Sequence, residues 1–161
     1  DARIHINQLN RLIRGAMAEM RMLLMELRPA SLTGTPFEDL LHYLIDSVIG
    51  RTSIDVIKDI DPIGVQPPEV QVACYRIAQE TLNNVIKHSR ASMVSIHLGW
   101  AQEQYELRIS DNGVGFNVNS PGEGHLGLGI MAERAQEIGA KIHISSRPDG
   151  GSEIVLCWQK A

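Results

Sequence analysis

Two short stretches of two-residue alternation, Val94-Ile96-Leu98 and Tyr105-Leu107-Ile109, limit the possible folds more than any other feature of the chain. Alternation of this kind marks strands with one buried face. The polar stretch between them is too short for the crossover a parallel pair requires, so they read as an antiparallel hairpin. A second pair of strands follows at Lys141 to Ser146 and Glu153 to Gln159, joined by the turn signal Pro148-Asp149-Gly150-Gly151. A further strand is expected at Thr52 to Ile60, bounded by Asp61-Pro62.

Helical periodicity fills the intervals. Residues Asp1 to Arg28 hold no proline, and Ile6, Leu9, Ile13, Ala16, Met20, Leu23 and Leu27 recur at alternating spacings of 3 and 4. That is a heptad seam, and it predicts a helix burying its stripe against a partner chain. Pro29 should end it, with Ala30 to Thr33 as a short connection. Thr35-Pro36-Phe37-Glu38 reads as a capping box with proline at the first helical position, and Gly50 as the end of that helix. Another helix is expected from Pro67-Pro68 to His88, and one from Leu128 to Ile138; Asn117 to Gly124 is a polar loop. Helix, helix, strand, helix, strand, strand, helix, strand, strand implies an α/β (α+β) two-layer sandwich. Its mixed sheet is covered on one face by helices, and a long dimerisation-type helix precedes it.

Composition narrows the class. With 161 residues, 43% hydrophobic and 21% charged, the chain suits one soluble domain plus an extra element. The net charge of −4 gives no reason to expect nucleic acid or an anionic membrane. Cys74 and Cys157 stand apart in apolar stretches, as buried thiols of a reducing cytoplasm would. The apolar runs are too short to span a bilayer. Asp1 is not a natural start, so the chain is expected to be a piece of a longer protein, with any membrane segment upstream.

Three clusters carry chemistry. Glu80 and Asn84 lie one helical turn apart, with Lys87 and His88 about one turn further, so four polar groups crowd the end of an otherwise buried helix. Read blandly, this is a solvated face. Asp111-Asn112-Gly113-Val114-Gly115-Phe116 follows a strand; Asn-Gly is a common turn, yet two glycines also let a ligand approach the backbone. Gly124-His125-Leu126-Gly127-Leu128-Gly129 leads into a helix whose N-terminus can attract an anion. The GxGxxA match there is not a dinucleotide fingerprint, because a polar loop rather than a strand precedes it.

Taken in this order the clusters resemble the sensor histidine kinases of two-component systems. Glu80-Thr-Leu-Asn-Asn84-Val-Ile-Lys87-His88-Ser resembles their N box, Asp111-Asn-Gly-Val-Gly115-Phe their G1 box, Gly127-Leu128-Gly129 their G2 box, and Gly150-Gly151-Ser152 the end of the last motif. Glu26-Leu-Arg-Pro29 and Met131-Ala-Glu133-Arg134-Ala135 resemble the nitrate-sensor type. The resemblance implies the Bergerat ATP-binding fold, with ATP and Mg²⁺ as cofactors. Asn84 would complete Mg²⁺ coordination, and Glu80 would orient or polarise a metal-bound water. Lys87 and His88 would meet the phosphates. Asp111 would read the adenine amino group, with Gly113 and Gly115 leaving room for the ring. Asn117 to Leu126 would be a lid, Gly127 and Gly129 its phosphate-facing hinge, with Leu128 between them, and Ser152 would support the adenine end.

On this reading residues 1–29 are the second helix of a dimerisation hairpin and 30–161 the catalytic domain. The implied partners are a second copy of the chain and a response regulator. The acceptor histidine of the family lies in a His-Asp context; His5, in Ile-His-Ile-Asn, has none, so this chain is expected to bind Mg-ATP without phosphorylating itself there. Two rivals remain. An anti-sigma-type serine kinase would lack the long heptad helix, and a non-catalytic dimerisation or docking module would not need Asn84, Asp111 and the glycines intact.

Overall fold

The computed structural model describes residues 2–27, 29–118 and 126–160. Five strands form one sheet in the order β1-β2-β3-β5-β4: β1 (Asp55–Ile60), β2 (Met93–Ala101), β3 (Gln104–Asp111), β4 (Lys141–Ser146) and β5 (Ser152–Trp158). β1 runs parallel to β2, and every other neighbouring pair is antiparallel, so the sheet is mixed as the two hairpins require. Val94, Ile96 and Leu98, then Leu107 and Ile109, then Ile154, Leu156 and Trp158 point to the same side and are buried. The side chains between them, His97, Glu106, Arg108 and Glu153 among others, form the polar second face. Arg108 bridges two carboxylates on it, Glu106 at 3.0 Å and Glu153 at 3.1 Å.

The helical layer consists of α1 (Ala2–Leu27), α2 (Pro29–Gly34), α3 (Phe37–Arg51), α4 (Pro68–Asn84) and α5 (Leu126–Glu137). Phe37, Leu40, Leu41, Leu44, Ile45 and Val48 of α3 are all buried. At roughly 1.5–3 kcal/mol per buried side chain, they outweigh any cap. That matters because the predicted capping box does not form: the cap position is Pro36 and receives no side-chain hydrogen bond. Glu38 instead accepts from the N–H groups of Ile63 (3.2 Å) and Gly64 (2.9 Å), and the Thr35 hydroxyl donates to Ser31 O at 2.7 Å. The carboxylate fastens the loop after β1, which a reach back to its own helix end would not do.

Other boundaries differ as well: α5 starts at Leu126, two residues before the expected Leu128, and β5 runs one residue earlier than expected. The expected connection at Ala30 to Thr33 is helical as α2, because a proline that stops one helix is well placed to start another. Gly50 lies within α3 rather than after it; the helix runs to Arg51 and is finished by Thr52, whose N–H and hydroxyl both donate to Val48 O. That cap delays β1 to Asp55. The helix expected to reach His88 is α-helical only to Asn84 and continues as a π-turn, Val85–Ser89, stopped by Arg90 in the left-handed region. Ser89 holds this widened turn: its hydroxyl donates to Val85 O (2.7 Å) and accepts from Ala91 N–H (3.0 Å).

α1 has two apolar faces. Ile6, Leu9, Ile13, Met20 and Leu23 of the predicted seam are exposed on this chain. On the opposite face Gly15 and Ala18 are buried, and Met22 and Met25 pack against the core. This second stripe lies along α3, where Gly15 and Gly50 let the two backbones meet. Arg11 donates to Thr52 O at 3.0 Å and Arg51 pairs with Glu19 at 3.3 Å. No described helix is long and apolar enough to cross a membrane.

Candidate functional site

At the end of the sheet where β3 finishes and β5 starts lies a cavity of ≈ 190 Å³. α4 and its π-turn contribute Thr81, Asn84, Val85, His88 and Ser89 to its wall. β3 and the turn after it contribute Ile109, Asp111, Gly115 and Phe116, α5 contributes Leu128, and β5 contributes Ser152 and Ile154. Thus the helix end, the glycine turn and the glycine-led helix converge on one hollow. Thr81, Val85, Ile109, Phe116 and Ile154 were given no site role from the sequence; apart from Phe116, which closes the glycine motif, they fit the patterns of ordinary helix and strand residues and are set apart only by lying at the end of the core.

The helix end meets the hollow through Thr81, Asn84, Val85 and His88, an i, i+3, i+4, i+7 spacing that stays on one side through the π-turn. As built, Asn84 and His88 both line the cavity while Lys87 is exposed beside it. Ser89 O then accepts from Val114 N–H at 2.8 Å, tying the helix end to the glycine turn.

Glycines 113 and 115 are required by close approaches of the protein's own backbone. A Cβ at Gly113 would sit 2.2 Å from Ser89 O, and one at Gly115 would sit 2.1 Å from Arg147 O. Gly115, at φ 60°, also requires the left-handed region. Gly151 N–H donates to Gly113 O at 3.0 Å, and Asp149 N–H to Val114 O at 2.7 Å, so the turn after β3 is clamped against the β4–β5 turn. Asn112 anchors the other side: its Oδ1 accepts from the N–H groups of Ser92 (3.0 Å) and Met93 (2.9 Å).

Asp111 is half-buried in the wall. Burial pushes its carboxyl above the ordinary range, opposed by hydrogen bonds from Gly113 N–H and from the N–H and hydroxyl of Ser152. The Gly113 bond is 2.8 Å long. Such a carboxylate is an acceptor held in place and short of solvent.

Among the described residues, Glu80, Lys87, Gly113, Gly127 and Gly129 lie outside the cavity lining. Glu80 sits beneath the start of α5: a Cβ at Gly127 would lie 2.6 Å from its Oε1. Gly129 has open space where a Cβ would go. The N-terminus of α5 begins at the cavity rim, with the positive end of its dipole there. The predicted lid lies largely at 119–125, outside the described residues, as do Gly124 and His125.

A mixed sheet with one helical layer, a hollow at the strand ends and glycine turns on two sides is the arrangement of the Bergerat ATP-binding fold. The profile of histidine kinase-, DNA gyrase B-, and HSP90-like ATPases matches residues 69–161. The chain is 38% identical to the sensor protein VraS of Staphylococcus saprophyticus over 146 residues, 91% of this chain and 42% of that protein. For the VraS of Staphylococcus aureus strain COL the identity is 36% with the same coverage. The chain thus spans 42% of the length of these curated relatives. The ATP-binding domain of PrrB from Mycobacterium tuberculosis superposes with a TM-score of 0.59 at 25% identity, covering 78% of this chain and 95% of that one. The blue-light-activated histidine kinase of Erythrobacter litoralis gives 0.64 at 23% identity, over 76% of this chain and 41% of that one, a likeness of fold. The chain belongs to the histidine kinase-, DNA gyrase B- and HSP90-like ATPase family, on its sensor histidine kinase branch.

Proposed function

We propose that the chain binds Mg-ATP in the cavity between α4, α5 and the β3 turn, and that the protein it belongs to transfers the γ-phosphoryl group to a histidine on a dimerisation hairpin, for relay to a response-regulator aspartate. The observation that carries this is the joint presence in one wall of Asn84, His88, Asp111, Leu128 and Ser152, drawn from four separate elements. Asp111 would accept the adenine amino group, with Ser152 behind it. Val85, Ile109, Phe116 and Ile154 would cover the ring's apolar faces. His88, with Lys87 beside it, and the N-terminus of α5 would meet the phosphates. α1 would be the second hairpin helix, its exposed seam the dimer contact. His5 would not be the acceptor.

The donor set fits a metal brought by the nucleotide. Among the described residues no group of three His, Cys, Asp or Glu side chains could hold a metal alone. Asn84 at the cavity wall offers one neutral oxygen, which suits an ion whose remaining ligands are phosphates and water. Bound there, Mg²⁺ would neutralise phosphate charge; the chain itself would hold the nucleotide in line and exclude water, and for phosphoryl transfer positioning and charge are most of the catalysis.

Calorimetry tests this directly. Millimolar ATP should give a binding isotherm that needs Mg²⁺, and Asn84→Ala should lose the Mg²⁺ dependence while keeping metal-free affinity. No heat with the unaltered chain would end the proposal. Adding a hairpin fragment bearing the family's acceptor histidine should then give acid-labile phosphate transfer.

A further inference from the structure

Asp111, Ser152 and Ser146 occupy one rung of the sheet: Asp111 pairs with Ser152 across β3–β5, and Ser152 with Ser146 across β4–β5. All three share the parity of Ile109, Ile154 and Ile144, so their side chains point to the helix-facing side. Asp111 and Ser152 line the cavity; Ser146 stands directly behind them.

The Ser146 hydroxyl has three partners. It accepts from Phe116 N–H at 2.8 Å, donates to Gly151 O at 2.9 Å, and lies 3.1 Å from the Ser152 hydroxyl. Phe116 forms one wall of the cavity, and Gly151 precedes Ser152 on another. One hydroxyl therefore sets the distance between the two walls. A hydroxyl carries one proton and two acceptor sites, so the three contacts use it fully. With that proton on Gly151 O, the Ser152 proton has two destinations, Ser146 Oγ or the Asp111 carboxylate. An ionised carboxylate is the stronger acceptor. A ligand amino group arriving at Asp111 competes for the same lone pairs, and Ser146 Oγ then takes the displaced proton with no heavy atom moving.

We propose that Ser146 is a positioning residue for base recognition: it spaces the Phe116 and Gly151–Ser152 walls and holds Ser152 so that Asp111 presents its carboxylate to a 6-amino purine. The inference rests on the proposed ATP binding and adds a residue outside the cavity lining to it. The effect should appear in base discrimination, because the phosphates lie at the other end of the cavity, towards Asn84 and His88.

The test measures dissociation constants for Mg-ATP and Mg-inosine triphosphate, which carries a carbonyl where ATP has the amino group. Ser146→Ala should weaken ATP by about tenfold, the loss of roughly one hydrogen bond's net contribution, and leave inosine triphosphate within about twofold. Ser146→Thr, which keeps the hydroxyl, should retain the discrimination, while Ser146→Val, of the same shape without it, should lose it. The Thr and Val pair also decides the matter if the alanine variant fails to fold. Equal weakening of both nucleotides in Ser146→Ala and Ser146→Val would reduce Ser146 to a structural support and overturn the inference, as would unchanged discrimination. An unaltered chain that binds neither nucleotide would instead remove the ATP reading beneath it.

Discussion

Gly50→Ala has an outcome whose sign depends on whether α1 lies on α3. In an ordinary helix interior, alanine in place of glycine stabilises by about 1 kcal/mol. Here the added Cβ would lie 2.3 Å from Gly15 Cα, 3.0 Å from Gly15 N and 3.3 Å from Arg11 O, all backbone atoms that no rotamer change can move. Carbon atoms pack at about 3.5–4.0 Å, so α1 would have to retreat by at least about 1.2 Å. Retreat loosens Ala18, 2% exposed, and pulls on the Arg11–Thr52 bond of 3.0 Å and the Arg51–Glu19 pair of 3.3 Å. Overpacking of this kind costs about 1–3 kcal/mol. With the propensity gain set against it and Ala18 partly exposed, the net should be a loss of roughly 1–2 kcal/mol, or about 2–8 °C in Tm for a chain of this size. Thermal melts of the two proteins decide it, with Mg-ATP affinity as a control that should not change, since α3 lines no part of the cavity. A higher Tm for Gly50→Ala would show that nothing presses on that face of α3, and the docked arrangement of α1 would be wrong.

Asp111→Asn should separate stability from binding. Because burial raises the folded pKa of Asp111, its stability contribution is full below the unfolded value of ~3.9 and is lost as pH rises through the higher folded value. The Tm of Asp111→Asn relative to the unaltered chain should therefore improve from about pH 4 towards neutrality while ATP affinity falls; a relative Tm that worsens over that range would contradict the burial argument. Two motif glycines should behave oppositely: Gly113→Ala, whose Cβ meets Ser89 O at 2.2 Å, should cost about 1–3 kcal/mol, whereas Gly129→Ala, with open space there, should be neutral or slightly stabilising in urea denaturation. Finally, Ile13→Glu with Met20→Glu should convert any dimer to monomer in sedimentation without lowering Tm, because both side chains are about half exposed at 51% and 58% and lie opposite the α3 contact. A monomeric unaltered chain at high concentration would remove the seam's role.

Periodicity made the sheet legible because a hairpin leaves little freedom. Once Val94-Ile96-Leu98 and Tyr105-Leu107-Ile109 must pair, their apolar sides coincide and a helical layer has to cover them, as it does. Local chemistry was less informative wherever a side chain had a better distant partner. Glu38 has the type and spacing of a capping residue, yet the N–H groups of Ile63 and Gly64 take it instead. The π-turn at Val85–Ser89 was not visible for the same reason, since Ser89 joins residues far apart in the chain by accepting Val114 N–H at its carbonyl.

The glycines show why motif residues could be found without their reasons being known. A glycine in a sequence says that something comes close; it does not say what. At Gly50 the neighbour is another helix, at Gly113 and Gly115 it is the end of the π-turn and the β4–β5 turn, and at Gly127 it is the Glu80 carboxylate. The cavity follows from these contacts. Three chain segments, the π-turn and the turns after β3 and β4, are drawn together by backbone approaches that only glycine permits, and Asn84, His88, Asp111 and Ser152 face the same space because the segments carrying them have been closed to within hydrogen-bonding distance of one another. Ser146 belongs to that closure although it sits in no glycine motif and does not touch the hollow. Residues of this sort emerge only when the hydrogen bonds behind a pocket are followed one shell outward.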